Sequence, residues 1–180
     1  MRPVTEKDIR ASFVNCSKGE ARRMALPRDL TEQPREDLDF LGRRDPASPD
    51  RRRVVVERGG LLTGVALRSP ARPPGRTRRG GGMCSLCPTT HAADGVALMA
   101  APKAGRAGRE GDSAGREGDS AGREGDSAGL YMCADPACSL YLRGRKVPDG
   151  GGRLEESLTV EERAERTRAN LLAFLDRLHA

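Results

Sequence analysis

The sequence predicts an α+β fold: a small mixed domain of β-hairpins and short helices with a longer helix at its C-terminus. Three observations lead there. Val54-Val55-Val56 and the run Leu61–Leu67 flank Glu57-Arg58-Gly59-Gly60, and apolar, β-branched-rich runs on either side of a Gly-Gly pair read as a hairpin. Helix-start signatures stand at Thr5, Ser17 and Thr159, each with an acidic residue three positions on. Finally, two close cysteine pairs, Cys84-x2-Cys87 and Cys133-x4-Cys138, bracket two further strand-like runs.

In chain order, Thr5 is expected to cap a helix in which Ile9, Phe13 and Cys16 share one face. Cys16 is then a buried apolar thiol rather than a nucleophile. Ser17-Lys18-Gly19-Glu20 launches a second short helix through Met24, which Pro27 ends. Residues 29–50 read as a polar stretch with Pro34, Pro46 and Pro49, in which only Leu38, Phe40 and Leu41 offer anchors. The hairpin follows. Residues 69–82, with three prolines and four glycines among arginines, read as a basic linker. Val96–Ala101 and Leu130–Cys133 are expected to pair as strands. Between them, Ala107–Ser113, Ala114–Ser120 and Ala121–Ser127 are identical Ala-Gly-Arg-Glu-Gly-Asp-Ser units. The period of seven is no coiled-coil seam, because no unit holds a large apolar residue and two positions in each are Gly. Residues 102–128 therefore read as a repeat-expanded hairpin tip, whose lengthening costs only about 0.6 kcal/mol per doubling. Asp135 and Pro136 suit the N-cap and first position of a helix to about Lys146, with Cys138 in its first turn. From Thr159 on, Val160, Thr167, Leu171, Phe174, Leu175 and Leu178 form a helical stripe. It is expected to pack on its own domain.

Composition narrows the function. Hydrophobic residues make up 36% of the 180 and aromatics 3%, so a core of Leu, Val and Ala is thin and a metal staple is physically useful. The net charge of +6 is uneven: residues 1–50 are balanced, residues 51–80 carry +8, and residues 81–180 carry −2. A basic block of that kind attracts phosphate or acidic protein surfaces, or is a solvated linker. No apolar run approaches the roughly 20 residues needed to span a bilayer, and Met1–Arg10 lacks the apolar core of a secretory signal. A cytoplasmic location is expected, where paired cysteines read as metal ligands before disulfides.

Thiolates spaced as Cys84, Cys87, Cys133 and Cys138 can close a tetrahedral zinc site with no open position for catalysis. His91, four residues after Cys87, could substitute as a ligand but is expected to lie outside the set. Knuckle, hairpin, then a helix whose first turn carries the last cysteine is the order of a treble-clef zinc finger. A redox reading of Cys84-Ser85-Leu86-Cys87 lacks the βαβ setting it would need.

The runs Ile9-Arg10-Ala11-Ser12-Phe13-Val14-Asn15-Cys16-Ser17-Lys18-Gly19-Glu20 and Asp37-Leu38-Asp39-Phe40-Leu41-Gly42, with Met83–Cys87 and Tyr131–Tyr141, resemble actinobacterial elongation-factor-G-binding proteins. These share the C-terminal treble-clef domain of the FusB-type fusidic-acid-resistance proteins. The resemblance covers about Thr5 to Leu178. It implies that Cys84, Cys87, Cys133 and Cys138 ligate Zn2+. It also implies that elongation factor G is the partner, with Ser85, Leu86, Lys103, Tyr131 and Tyr141 as the contact residues. In that family, binding releases the factor from drug-stalled ribosomes. Two departures stand out. The additional N-terminal helical bundle of FusB-type proteins has no counterpart in these residues, and the knuckle interior, Ser85-Leu86, has no aromatic anchor.

The expected organisation is one domain over residues 1–180: helices and hairpin in 1–68, the linker in 69–82, the finger in 83–146 and the terminal helix in 158–179. The expected function is binding elongation factor G and modulating its residence on the ribosome, with a link to fusidic acid resistance. The alternative is a finger that binds ribosomal RNA through the basic segment. No catalytic triad, paired catalytic carboxylates or phosphate-binding glycine loop stands in the sequence, so no enzyme activity and no small-molecule substrate are expected.

Overall fold

The computed structural model describes residues 4–26, 39–48, 50–69, 83–88, 95–104, 127–147 and 157–179. They form helices α1 (Glu6–Ala11), α2 (Lys18–Arg23), α3 (Cys138–Leu142) and α4 (Val160–His179), and strands β1 (Phe40–Arg44), β2 (Arg51–Arg58), β3 (Leu61–Arg68), β4 (Val96–Pro102) and β5 (Ser127–Cys133). The strands make one antiparallel five-stranded meander in the order β1-β2-β3-β4-β5. The α+β expectation is met. Residues 70–82 of the expected linker, residues 105–126 of the expected loop, and His91 lie outside the described residues.

The hairpin forms as expected. Arg58 faces Leu61 across a two-residue turn in which Gly59 and Gly60 sit at φ 56° and 79°. Two successive positive φ values define the turn whose twist matches a hairpin, and side chains there would be strained. Val54, Val55 and Val56 of β2 are all buried, so both faces of this strand are covered. The expected N-terminal caps also form. Thr5 with Asp8, Ser17 with Glu20, and Thr159 with Glu162 each exchange side-chain and backbone bonds. Along α4, Thr167, Leu171, Phe174, Leu175 and Leu178 of the stripe are buried against the chain's own core, together with Ala164; Val160 is half-buried.

Four expectations are corrected. The polar stretch before the hairpin contains β1, whose pairing is supplied by β2, from Phe40↔Val56 to Arg44↔Arg52. The first helix ends at Ala11, so Phe13 and Cys16 do not continue its stripe. Phe13 instead bridges to Gly64 of β3, and Cys16 is only half-buried. A Cβ on Gly64 would lie 2.6 Å from Ser12 Oγ and 3.2 Å from the Phe13 ring, so glycine lets this segment approach the strand without shifting those side chains. Asp135 does not cap α3. The N-cap is Ala137, with no side-chain bond, and the helix stops at Leu142 instead of running to Lys146. Gly144 at φ 67° closes it, with Arg145 N donating to Leu140 O and Gly144 N to Tyr141 O. Last, the arginines that open the basic block are not a solvated run. Arg52 and Arg53 are 4% and 6% exposed. Arg52 donates to Ala134 O, and Arg53 pairs with buried Asp45.

The sheet curls until the loop after β5 returns to β1. A Cβ on Gly42 would stand 1.9 Å from Pro136 O, a closeness only glycine permits. Asp39 clamps the same junction: its N–H binds Ser139 Oγ at 3.1 Å and its carboxylate takes Arg143 at 3.0 Å. The turn from β5 into α3 is thereby held from outside.

Candidate metal centre

Three elements bring the four cysteines together. The knuckle at residues 84–87 carries two, the end of β5 carries Cys133, and Cys138 opens α3. The knuckle is fixed from two sides. Ser85 N donates to Tyr131 O of β5 at 2.8 Å, and Asn170 of α4 donates to Leu86 O at 3.0 Å. Within the knuckle, Cys87 N points at Cys84 Sγ, 3.4 Å away. The Cys133–Cys138 turn is fixed by the contacts to Gly42 and Arg52 and by Ala134 N donating to Gly95 O at 2.9 Å.

All four side chains are buried, and their sulfurs lie within 4.8 Å of one another. Cys87 and Cys133 are 3.5 Å apart, Cys133 and Cys138 3.5 Å, and Cys84 and Cys138 3.9 Å. These are not disulfides, which need about 2.05 Å. They match the edges of a tetrahedron around zinc: a Zn–S length of about 2.3 Å implies S–S edges of about 3.8 Å. Electrostatics agree. Hydrogen bonding from Cys133, then from Cys138, holds the Cys84 thiol well below its ordinary pKa. Bonds to Cys133 and then Cys84 hold Cys138 well above it. Buried together, the four sulfurs cannot all ionise unaided, and a divalent cation at their centre removes that conflict. The donor set therefore fits Zn2+, held by four thiolates with no position open to substrate.

The expected contact residues divide. Ser85 and Tyr131 are exposed, Tyr131 at 45%, and Lys103 is half-buried. Leu86 and Tyr141, at 1% and 5% exposed, are interior. Leu86 packs in the core behind the knuckle. Tyr141 Oη lies 3.4 Å from the Asp135 carboxylate, and burial, then Asp135, pushes its pKa up. Their burial keeps both from offering surface to a partner. Sequence reasoning missed Met83, 53% exposed at the knuckle's start, and Asn170, a polar residue beside the apolar stripe of α4. That position was the available signal for Asn170, since an amide there needs a partner.

Neither curated proteins nor solved structures gave a match to the chain. The model of the family described as FBP C-terminal treble-clef zinc-finger matches residues 8–117 and 113–178. The two stretches meet inside the tandem repeat, where extra units would interrupt the family's pattern. With the match running over most of the chain and the four thiolates gathered as a treble clef requires, the protein belongs to the FBP C-terminal treble-clef zinc-finger family.

Proposed function

We propose that this zinc protein binds elongation factor G and changes how long the factor stays on the ribosome, with no chemistry of its own. Membership of the family is what supports elongation factor G as the partner. The observation that carries the reading is the exposed pair Met83 and Tyr131 at the knuckle. They are two of four large hydrophobic side chains left exposed among the described residues, and the Ser85–Tyr131 backbone bond places them at one end of the finger. An exposed aromatic on a rigid support is the usual anchor of a protein interface, and it supplies what Ser85-Leu86 lacks. Zinc would serve as a strut that fixes the presentation. A centre closed by four sulfurs fits a binding protein better than an enzyme. The reading places the protein in the cytoplasm, where its partner works. No helix among the described residues is long and apolar enough to cross a membrane. A role in fusidic acid resistance would follow from accelerated release of the factor.

Titration calorimetry of the zinc-loaded protein against elongation factor G from its own source tests this. Saturable binding near one-to-one is expected. Tyr131→Ala should weaken it about tenfold or more without loss of zinc. Absence of heat and of co-elution at tens of micromolar would remove the partner while leaving the metal centre intact.

A further inference from the structure

Besides the metal centre, the sheet carries a second concentration of function-bearing groups. A cleft of about 360 Å³ opens between α2, the turn leading into β2, and the adjoining ends of β2 and β3. It shares no residue with the metal centre or the knuckle. Five arginines line it, Arg23, Arg51, Arg52, Arg53 and Arg68, against Glu20 and Asp45, a surplus of three positive charges. Two of the five are committed to the fold. Arg53 is buried on Asp45, and Arg52 is buried with its Nε on Ala134 O. Arg68 meets Glu20 at 3.1 Å, but both side chains are well exposed, so this pair is weak and exchangeable. The guanidinium groups of Arg23 and Arg51 take part in no hydrogen bond or ion pair among the described residues. Gathering cations around a cleft without matching acids is repulsive, and a bound anion would relieve it.

We propose that this cleft binds the phosphate backbone of single-stranded RNA, with Arg23 and Arg51 as its main contacts and Arg68 joining them. Guanidinium is the cation whose planar fork matches a pair of phosphate oxygens. Of the apolar residues lining it, Met24 and Leu67 are buried and Pro102 is exposed, so Pro102 is the surface on which a sugar or base can rest. The charge also continues along the chain. Arg68 ends β3, and the sequence that follows carries Arg72, Arg76, Arg78 and Arg79 with no acidic residue through Gly82. A linear polyanion with one charge per nucleotide suits a cleft whose positive charge is continued by the sequence that follows it. A single small anion would need only the cleft.

The test uses the full-length, zinc-loaded protein and a fluorescein-labelled oligouridylate of about twelve nucleotides. Anisotropy is followed from roughly 50 to 200 mM salt. Each phosphate contact on a single strand contributes about 0.7 to the slope of log affinity against log salt. The double variant Arg23→Ala/Arg51→Ala should therefore bind more weakly, with the slope reduced by about 1.4. A charge-matched control, Lys7→Ala/Arg22→Ala on the face of α1 and α2 outside the cleft, should leave the slope unchanged. Among the described residues Arg23 and Arg51 make no side-chain bonds, so the cleft variant should keep its zinc and melting temperature. Equal slope changes in the two variants would reduce the effect to net charge and overturn the site. So would an unchanged slope in the cleft variant, or no RNA binding by the unmodified protein. Saturable binding of inorganic phosphate that displaces the oligonucleotide at low millimolar concentration would overturn RNA as the ligand and leave a small-anion site.

Discussion

Asn15 shows how much a single side chain does in a fold with so few aromatics. It is 2% exposed and replaces a strand residue where β3 and β4 diverge, since their register is reduced to Arg68↔Ala100. Its Nδ2 donates to Ala66 O at 2.8 Å and to Pro102 O at 3.3 Å, and its Oδ1 accepts from Ala66 N at 2.8 Å. Without it, the backbone of Ala66 would be left without these partners. Asn15→Ala should cost about 2–3 kcal/mol. That would be read as a lower denaturation midpoint with an unchanged slope, and zinc content should be preserved. An effect under about 0.5 kcal/mol would mean that water replaces the amide. Nothing near Asn15 in the chain announces this role, because its partners lie 51 and 87 positions away. The four cysteines are the opposite case. Their chemistry is carried by residue type and spacing, so the metal centre was legible before any contact was known. The interior placement of Leu86 and Tyr141 was not legible, because it depends on α4 and on the curl of the sheet.

At the scale of elements, the capping-box signals read true. The three helices with capping boxes start where their side chains require, because cap and partner stand three residues apart. The cap expected at Asp135 failed for a tertiary reason: its carboxylate is engaged by Lys146 and lies near Tyr141 Oη. β1 escaped notice because Phe-Leu-Gly-Arg-Arg has no alternation, and only its pairing with β2 makes it a strand. The start of α4 gives a pH prediction. Bonds from the Thr159 backbone, then its hydroxyl, hold the Glu162 carboxyl below its ordinary pKa of 4.5. A carboxyl whose folded-state pKa is depressed adds stability above its unfolded pKa, and that stability is lost as pH falls through the folded value. The first turn of α4 should therefore fray on acidification below about pH 4.5, seen as faster amide exchange at residues 160–163 after correction for intrinsic rates. Glu162→Gln should remove this pH dependence, and Thr159→Ala should cost about 0.5–2 kcal/mol at neutral pH. Equal pH dependence in the Gln variant would place the effect elsewhere.

The whole molecule is a meander closed by metal and helix. The C-terminal helix reaches back to three separate regions. Asn170 holds the knuckle, Arg168 donates to Glu57 O at the hairpin, and Leu178 O accepts from Ala104 N just after β4. Zinc joins the knuckle to the β5–α3 turn, which Gly42 and Arg52 tie to the far edge of the sheet. Loss of the metal would thus loosen both ends of the sheet, in keeping with the large share of folding free energy, about 10–16 kcal/mol, that structural zinc supplies in small domains. The most direct test is cysteine alkylation read by intact mass, with and without a chelator under non-reducing conditions. The account predicts one zinc per chain and, in the loaded protein, modification only at half-buried Cys16. After chelation, all five cysteines should react. Rapid modification of Cys84 or Cys138 in the loaded protein, or a chelated form that still protects four thiols, would contradict a tetrathiolate zinc centre as the organiser of this fold.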